Sequence, residues 1–311
     1  MMDVFCTSGK VKALEKTSLT AADISKILNA KTFSEAISIL NGTIYQFPQN
    51  IISQNDIYNF FNGITQNLIK DMRRFLPEEL YYYFLLPYDF HNLKLIIDNY
   101  RKGKESKNYI PFSFIAYFIL KEAFEKNNFK DIPLYLKPMV EFGYKNRNNE
   151  YVLLMARKIY WDTVKNLVRT QHSDFINGYI KIEIDLSNIG IFLQQKISGL
   201  PLDINVLSDG GNIKKERYER DDVLWTYVNM VYPGLKTPID VDGYDMVGYS
   251  LLMNYLKYAR VIPYGIEPIF AYFSAKNIEI DNLRRILLGK FYNIEVGKIG
   301  EWVLPAYQYP A

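Results

Sequence analysis

The stretch DFHNLKLIIDNYRKG, Asp89 to Gly103, decides the fold, because its skeleton returns twice. It comes back as DLSNIGIFLQQKISG (Asp185 to Gly199) and, more altered, as EIDNLRRILLGKFYN (Glu279 to Asn293). With the asparagines Asn92, Asn188 and Asn282 as origin, the copies are spaced 96 and 94 residues apart. Three positions before each asparagine stands an acid: Asp89, Asp185 and Glu279. One, four and five positions after it every residue is apolar: Leu93, Ile96, Ile97; Ile189, Phe192, Leu193; Leu283, Ile286, Leu287. Eleven positions after it come Gly103, Gly199 and Asn293, residue types that tolerate the left-handed backbone closing a helix. Spacings of three and four place these residues on one helical face, so each copy reads as a helix of about fourteen residues with a stop signal.

The asparagine lies inside the apolar stripe. A buried amide is costly unless it is hydrogen-bonded, and an acid one turn earlier is a natural companion. We read each pair as a packing device that fixes how its helix is seated, as one polar residue fixes register in a coiled coil, ahead of a direct role in contacting a partner. A period near 95 residues exceeds the two-helix units of solenoids. Each unit is therefore expected to be a small multi-helix domain: residues 1–108, 109–200 and 201–311. Three such domains suggest a pseudo-threefold body able to grip something central.

Elsewhere the pattern is helical too. LTAADISKILNA and TFSEAISILNGT both open on a threonine with an acid three residues on, Thr20 to Asp23 and Thr32 to Glu35, the spacing of a capping box. YIKIEIDL (Tyr179 to Leu186) alternates like a strand but runs directly into the second copy, and we read it as helix. The fold class is all-α.

Composition narrows the function. Of 311 residues, 49% are hydrophobic and 23% charged, with 26 Tyr and 19 Phe, which suits a folded protein with apolar contact surfaces. A net charge of +3, spread along the chain, lacks the basic stripe expected of a nucleic-acid binder. The one cysteine, Cys6, excludes an internal disulfide, and only His91 and His172 could serve it as a base. No signal peptide is visible. The longest apolar run, Ile110 to Leu120, is far short of the roughly 20 residues of a membrane span.

Catalytic chemistry has no visible home. No phosphate-binding loop occurs, and Gly210–Gly211 in SDGGNIKK reads as a turn. ERDDV (Glu219 to Val223) is a fragment of an isoprenoid-synthase-like acidic motif, with no fifth-position Asp and no second acidic cluster to answer it, and reads as a solvated helix start. No spacing of His, Cys and carboxylates suggests a metal site, and no cofactor is expected.

Four blocks in order carry a resemblance. They are SGKVKALEKTSLTAADISKILNAKTFSEAISILNGTIYQ with Leu40, Thr43 and Tyr45; YYYFLLPYDFHNLKLIIDNYRKG; YIKIEIDLSNIGIFLQQKISG; and the segment from Gly265 to Tyr307. The last includes Gly265, Pro268, Tyr272, Glu279, Asn282, Leu283, Arg284 and Lys290. Together they resemble the C subunit of the bacterial and archaeal V-type (A-type) ATPases, the counterpart of the d subunit of the eukaryotic V-ATPase. The middle copy departs by carrying Gly190 and Gln194 to Lys196 where the family has a basic residue soon after the asparagine, and an acid usual before that copy is replaced within VLLMARKIY.

The resemblance implies a non-catalytic, funnel-shaped rotor part of three helical domains. It would sit on the membrane ring of proteolipids and receive the central shaft, made of D- and F-type subunits, as a monomer within a larger complex. Such a protein is cytoplasmic and bound to the membrane peripherally through the complex. Asp89, Asn92, Asp185, Asn188, Glu279, Asn282, Arg284 and Lys290 are the candidate structural or interface residues. PEELYYYFLLP and IPFSFIAYF are candidate contact stretches, although core packing accounts for most single aromatics. The alternative is an all-α scaffold that binds a peptide or protein in a central cavity and has no part in an ion pump.

Overall fold

A computed structural model of the chain describes residues 4–48, 53–103, 108–233, 235 and 237–307. Among the described residues there are thirteen α-helices and no strand. They are α1 (Val4–Glu15), α2 (Ala21–Asn29), α3 (Phe33–Asn41), α4 (Gln54–Phe75), α5 (Glu78–Lys102), α6 (Tyr117–Glu125) and α7 (Lys137–Lys145), followed by α8 (Val152–Arg169), α9 (Asp174–Ile197), α10 (Asp221–Val231), α11 (Val241–Leu256), α12 (Ile266–Phe291) and α13 (Val296–Gly300). The chain divides into two compact units. One joins Met1–Leu76 to Asp242–Ala311, and the other is Pro77–Val241.

The three copies occupy α5, α9 and α12, of 25, 24 and 26 residues. These are much longer than fourteen residues, and the excess lies before the acid. In α5 the added turns contain Pro87, which lacks an amide hydrogen and is nonetheless accommodated inside the helix. In α9 they contain YIKIEIDL. Ile176, Tyr179, Ile180, Ile182, Ile184 and Leu186 are all buried there, so the alternation reflects a helix enclosed on most of its circumference. Every apolar stripe residue named for the copies is buried. The stop residues are left-handed in all three: Gly103 at φ 61°, Gly199 at φ 65° and Asn293 at φ 54°. After two of them the chain folds back in the same way. Leu200 N–H donates to Gln195 O at 3.0 Å and Ile294 N–H to Gly289 O at 2.8 Å, which satisfies carbonyls left open at the helix end.

The helix starts differ in one respect from expectation. Thr20 and Asp23 form the full capping box. Thr32 caps α3 by accepting from Glu35 N–H at 3.1 Å, but Glu35 reaches back to Lys31 N–H at 2.7 Å rather than to Thr32. A further box, Ser53 with Asp56, opens α4. The acidic start of α10 is exposed, with Asp222 paired to Arg220 at 2.7 Å and Asp221 paired to Lys196.

Candidate functional site

In each copy the acid and the asparagine hold a different piece of chain against the helix. Asn92 Nδ2 donates to Ile110 O at 3.0 Å, and Ile110 N–H donates to Asn92 Oδ1 at 2.8 Å. Asn188 makes the same two bonds with Ser208, both at 2.9 Å. Asn282 makes them with Leu304, at 2.8 and 2.7 Å. The partners lie 18, 20 and 22 residues downstream. An amide offers one acceptor and one donor in fixed geometry, so it replaces the ladder that an irregular segment buried against a helix would otherwise lack.

The acids then fix where the next helix begins. Asp89 Oδ1 accepts from Ile115 N–H at 3.0 Å. Asp185 accepts from Ile213 N–H at 3.0 Å and from Asn212 N–H at 2.9 Å. Ile115 lies two residues before α6, and Ile213 two residues before the 3₁₀ turn Lys215–Glu219. The third acid takes a different partner. Glu279 instead accepts from Leu19 N–H at 2.8 Å, 260 residues back, and Leu19 lies two residues before α2. The unit that contains both chain ends is closed at this point, with the N-terminal segment taking the place that downstream chain takes in the other two copies.

Local chemistry supports each clamp. Tyr232 Oη donates to Asp185 and Tyr45 Oη donates to Glu279, both at 2.5 Å. Lys276 Nζ also lies 2.5 Å from Glu279, and both side chains of that pair are buried. Gly211 is needed because a Cβ there would lie 2.0 Å from Asp185 Oδ1. Gly210–Gly211 is thus the turn expected, and the carboxylate is the reason its second residue is glycine. Lys290 Nζ donates to Ala30 O at 2.5 Å, and burial lowers its pKa. Arg284 is half-buried, bonded to Asp281 at 3.2 Å and set 5.6 Å from the Phe61 ring. Asp89, Asn92, Asp185, Asn188, Glu279, Asn282 and Lys290 are all buried within the chain.

Burial also sets the titration of this interior. Desolvation raises Asp89 to about 7, against lowering by the amides of Ile115 and Phe114, and its Oδ2 is buried without a partner. Burial raises Glu183, bonded by Tyr83 Oη at 2.9 Å, to about 7 as well. An acid whose folded pKa is raised stabilises the fold below its unfolded pKa and loses that contribution as pH rises through the folded value. The melting temperature of Asp89→Asn relative to the wild type is therefore expected to be more favourable at pH 8 than at pH 5.5. Thermal melts of both proteins at the two pH values check this; an equal difference at both would place Asp89 as ordinarily ionised.

The two aromatic stretches singled out in the sequence come together on one surface. Tyr82 of α5 meets Phe114 at 4.7 Å and stacks on Tyr135 at 4.8 Å, and Phe114 lies 5.8 Å from Tyr135. Beside them in the sequence are three highly exposed side chains, Phe118 (65%), Ile119 (50%) and Leu134 (86%). Residues 109–120 carry no charge. Exposed apolar area of this kind makes the stretch a candidate contact surface. A second exposed group was not legible in the sequence: Phe5, Tyr258, Val261 and Tyr264. Phe5 and Tyr264 meet at 5.1 Å because Ser8 Oγ bonds both Gly265 O and Gly265 N–H, at 3.0 and 3.1 Å, which joins α1 to the start of α12. No local spacing connects residues so far apart in the chain. Of the histidines, His91 is exposed and lies 3.2 Å from Asn108 O, and His172 sits in a left-handed turn after α8. Cys6 is exposed.

Three clamped helices and an exposed aromatic surface are thus the features that stand out among the described residues. The family model described as ATP synthase (C/AC39) subunit matches residues 7–301. The chain belongs to that family. It is similar to the C subunit of the A-type ATP synthase of Methanosarcina acetivorans, at 24% identity over 86% of this chain and 85% of the relative. It is also similar to the C subunit of the V-type sodium ATPase of Enterococcus hirae, at 22% identity over 91% of this chain and 95% of the relative. The family is a non-catalytic subunit of V/A-type ATPases, so the chain is an ATPase subunit and not itself an enzyme. This displaces the scaffold outside an ion pump as a reading. No helix among the described residues is long and apolar enough to cross a membrane.

Proposed function

We propose that this protein is the rotor part that couples the central shaft of a V/A-type ATPase to the membrane ring of proteolipids. On this reading it is held at the membrane peripherally by the complex as a three-domain body, residues 1–108, 109–200 and 201–311, which its three acid–asparagine helices stiffen by fixing the segments bonded to them. The observation that carries it is the threefold recurrence of the clamp. A part that transmits torque needs segments that do not slide against one another, and six amide and carboxylate side chains fix loops to helices at three equivalent places.

The aromatic surface around Tyr82, Phe114 and Tyr135 is the face we assign to a neighbouring component of the ATPase, since desolvated aromatic clusters contribute most of the energy of an interface. Replacing exposed Leu134, the chain neighbour of Tyr135, by aspartate is expected to leave the melting temperature of the isolated protein nearly unchanged. The same change is expected to weaken its association with the rest of the ATPase by tenfold or more, about 1.4 kcal/mol. Reconstitution of the complex with the labelled protein measures this. Unchanged association would remove that face from the interface.

A further inference from the structure

The threefold clamp extends to a tyrosine, and in one copy the tyrosine bond is unmade. Tyr232 Oη donates to Asp185 and Tyr45 Oη donates to Glu279, both at 2.5 Å. Tyr232 follows its acid by 47 residues. Tyr135 follows Asp89 by 46, at the corresponding place in its copy. Yet Asp89 Oδ2 and Tyr135 Oη are each buried without a hydrogen-bond partner. We propose that Asp89 and Tyr135 form a proton-controlled latch beneath the aromatic surface of Tyr82, Phe114 and Tyr135. The ionised acid draws the phenol inward, and the protonated acid leaves its ring stacked on Tyr82.

Both groups are placed for this. The Tyr135 ring runs from the surface, where it stacks on Tyr82 at 4.8 Å, to the interior, where its hydroxyl is buried. Burial raises the Tyr135 pKa and the Asp89 charge raises it further, which puts the two groups within electrostatic reach. Tyr45 and Tyr232 are buried, whereas Tyr135 is half-buried, so its ring is shared between clamp and surface. Asp89 reaches the same surface by a second route. It accepts from the amides of Ile115 and Phe114, and the Phe114 ring meets both Tyr82 and Tyr135, at 4.7 and 5.8 Å.

Ionisation decides which contacts win. A hydrogen bond to a charged acceptor is about twice as strong as a neutral one, and an unpaired phenol and carboxylate oxygen are both costly in the interior. The carboxylate therefore gains most from turning Tyr135 Oη toward it. Tyr82 and Tyr81 of α5 lie behind Tyr135. The segment before α6 adds the Ser113 hydroxyl, bonded to Ile115 O at 2.7 Å, and α8 adds Thr163 Oγ1, 3.4 Å from Tyr135 O. The helices packed on α5 carry the pairs Lys121–Glu125, Lys137–Glu141 and Asp162–Lys165, and Arg157 of α8 acts on Lys94. Among the described residues, no ammonium, guanidinium or second carboxylate acts on the Asp89 carboxyl, which burial raises to about 7. A bond favoured by the ionised form lowers that value, so removing the phenol raises it.

The latch is a property of the chain itself, whatever covers the surface, and is tested on the full chain alone. Aspartate carboxyl and tyrosine ring carbons, isotope-labelled, are to be followed by NMR from about pH 5 to 9. Asp89→Asn assigns the carboxyl signal and keeps an acceptor for Ile115 N–H, and Tyr135→Phe keeps the stacked ring. The Tyr135 and Tyr82 ring signals are expected to move with the midpoint of Asp89 and to stop doing so in Asp89→Asn. Tyr135→Phe is expected to raise the Asp89 midpoint by about half to one pH unit. An unchanged midpoint in Tyr135→Phe overturns the proposal, because the two groups then share no bond in either protonation state. Ring signals indifferent to the Asp89 titration, or an Asp89 signal that stays flat over this range, overturn it as well.

Discussion

Glu279→Ala is expected to destabilise the unit containing both chain ends by about 3–5 kcal/mol, the usual cost of removing one member of a buried ion pair. In wild type the Glu279 carboxylate accepts from Lys276 Nζ, Tyr45 Oη and Leu19 N–H within a site where both charged side chains are 7% exposed. Alanine leaves the ammonium buried without its counter-ion and strands a backbone amide and a phenol. A loss of this size corresponds to a fall of about 10 °C or more in the melting temperature. The local signature is sharper than the melt. The amide of Leu19 is tied to the rest of the protein through Glu279, so its hydrogen exchange is expected to accelerate by orders of magnitude. The double change Lys276→Met with Glu279→Gln is expected to cost less than Glu279→Ala, since it removes both charges and keeps an acceptor for Leu19. A double mutant no more stable than the single one would mean that the charge pair is not what holds the N-terminal segment.

The second large effect is expected at the asparagines. Asn188→Leu and Asn282→Leu keep an apolar side chain of similar size in the stripe but leave one buried N–H and one buried C=O unpaired, on Ser208 and Leu304 respectively. Each orphaned group costs about 1–3 kcal/mol, so each mutant is expected to lose about 2–6 kcal/mol. The two asparagines lie in different compact units. Their effects should therefore add, with exchange accelerating around Ser208 in one mutant and around Leu304 in the other. A melting midpoint unchanged in both mutants would show that the amides do not hold these segments.

Much of this was legible because it is local. The acid, the amide and the apolar stripe fall on one face of one helix, and the closing glycines and asparagine declare their left-handed backbone by residue type. Tyr82 and Phe114 were visible as members of unusually aromatic runs. What each amide holds was not legible, because Ile110, Ser208 and Leu304 follow at three different distances along irregular chain. Leu19 was still further from view, 260 residues from its carboxylate. The helices proved longer than their repeated core because the turns before each acid are shaped by burial that differs between copies. In α9 that burial imitates a strand. The pairing of Phe5 with Tyr264 had no local signal, since it depends on a serine hydroxyl reaching the backbone at Gly265.

A rotor part is defined by what it turns with. Purifying the native protein from its source cells under mild detergent, and identifying what is bound to it, tests that directly. The rotor reading predicts that shaft subunits and the proteolipid ring are recovered together with it, and that the protein on its own hydrolyses no ATP. Recovery with partners that include no ATPase component would contradict it.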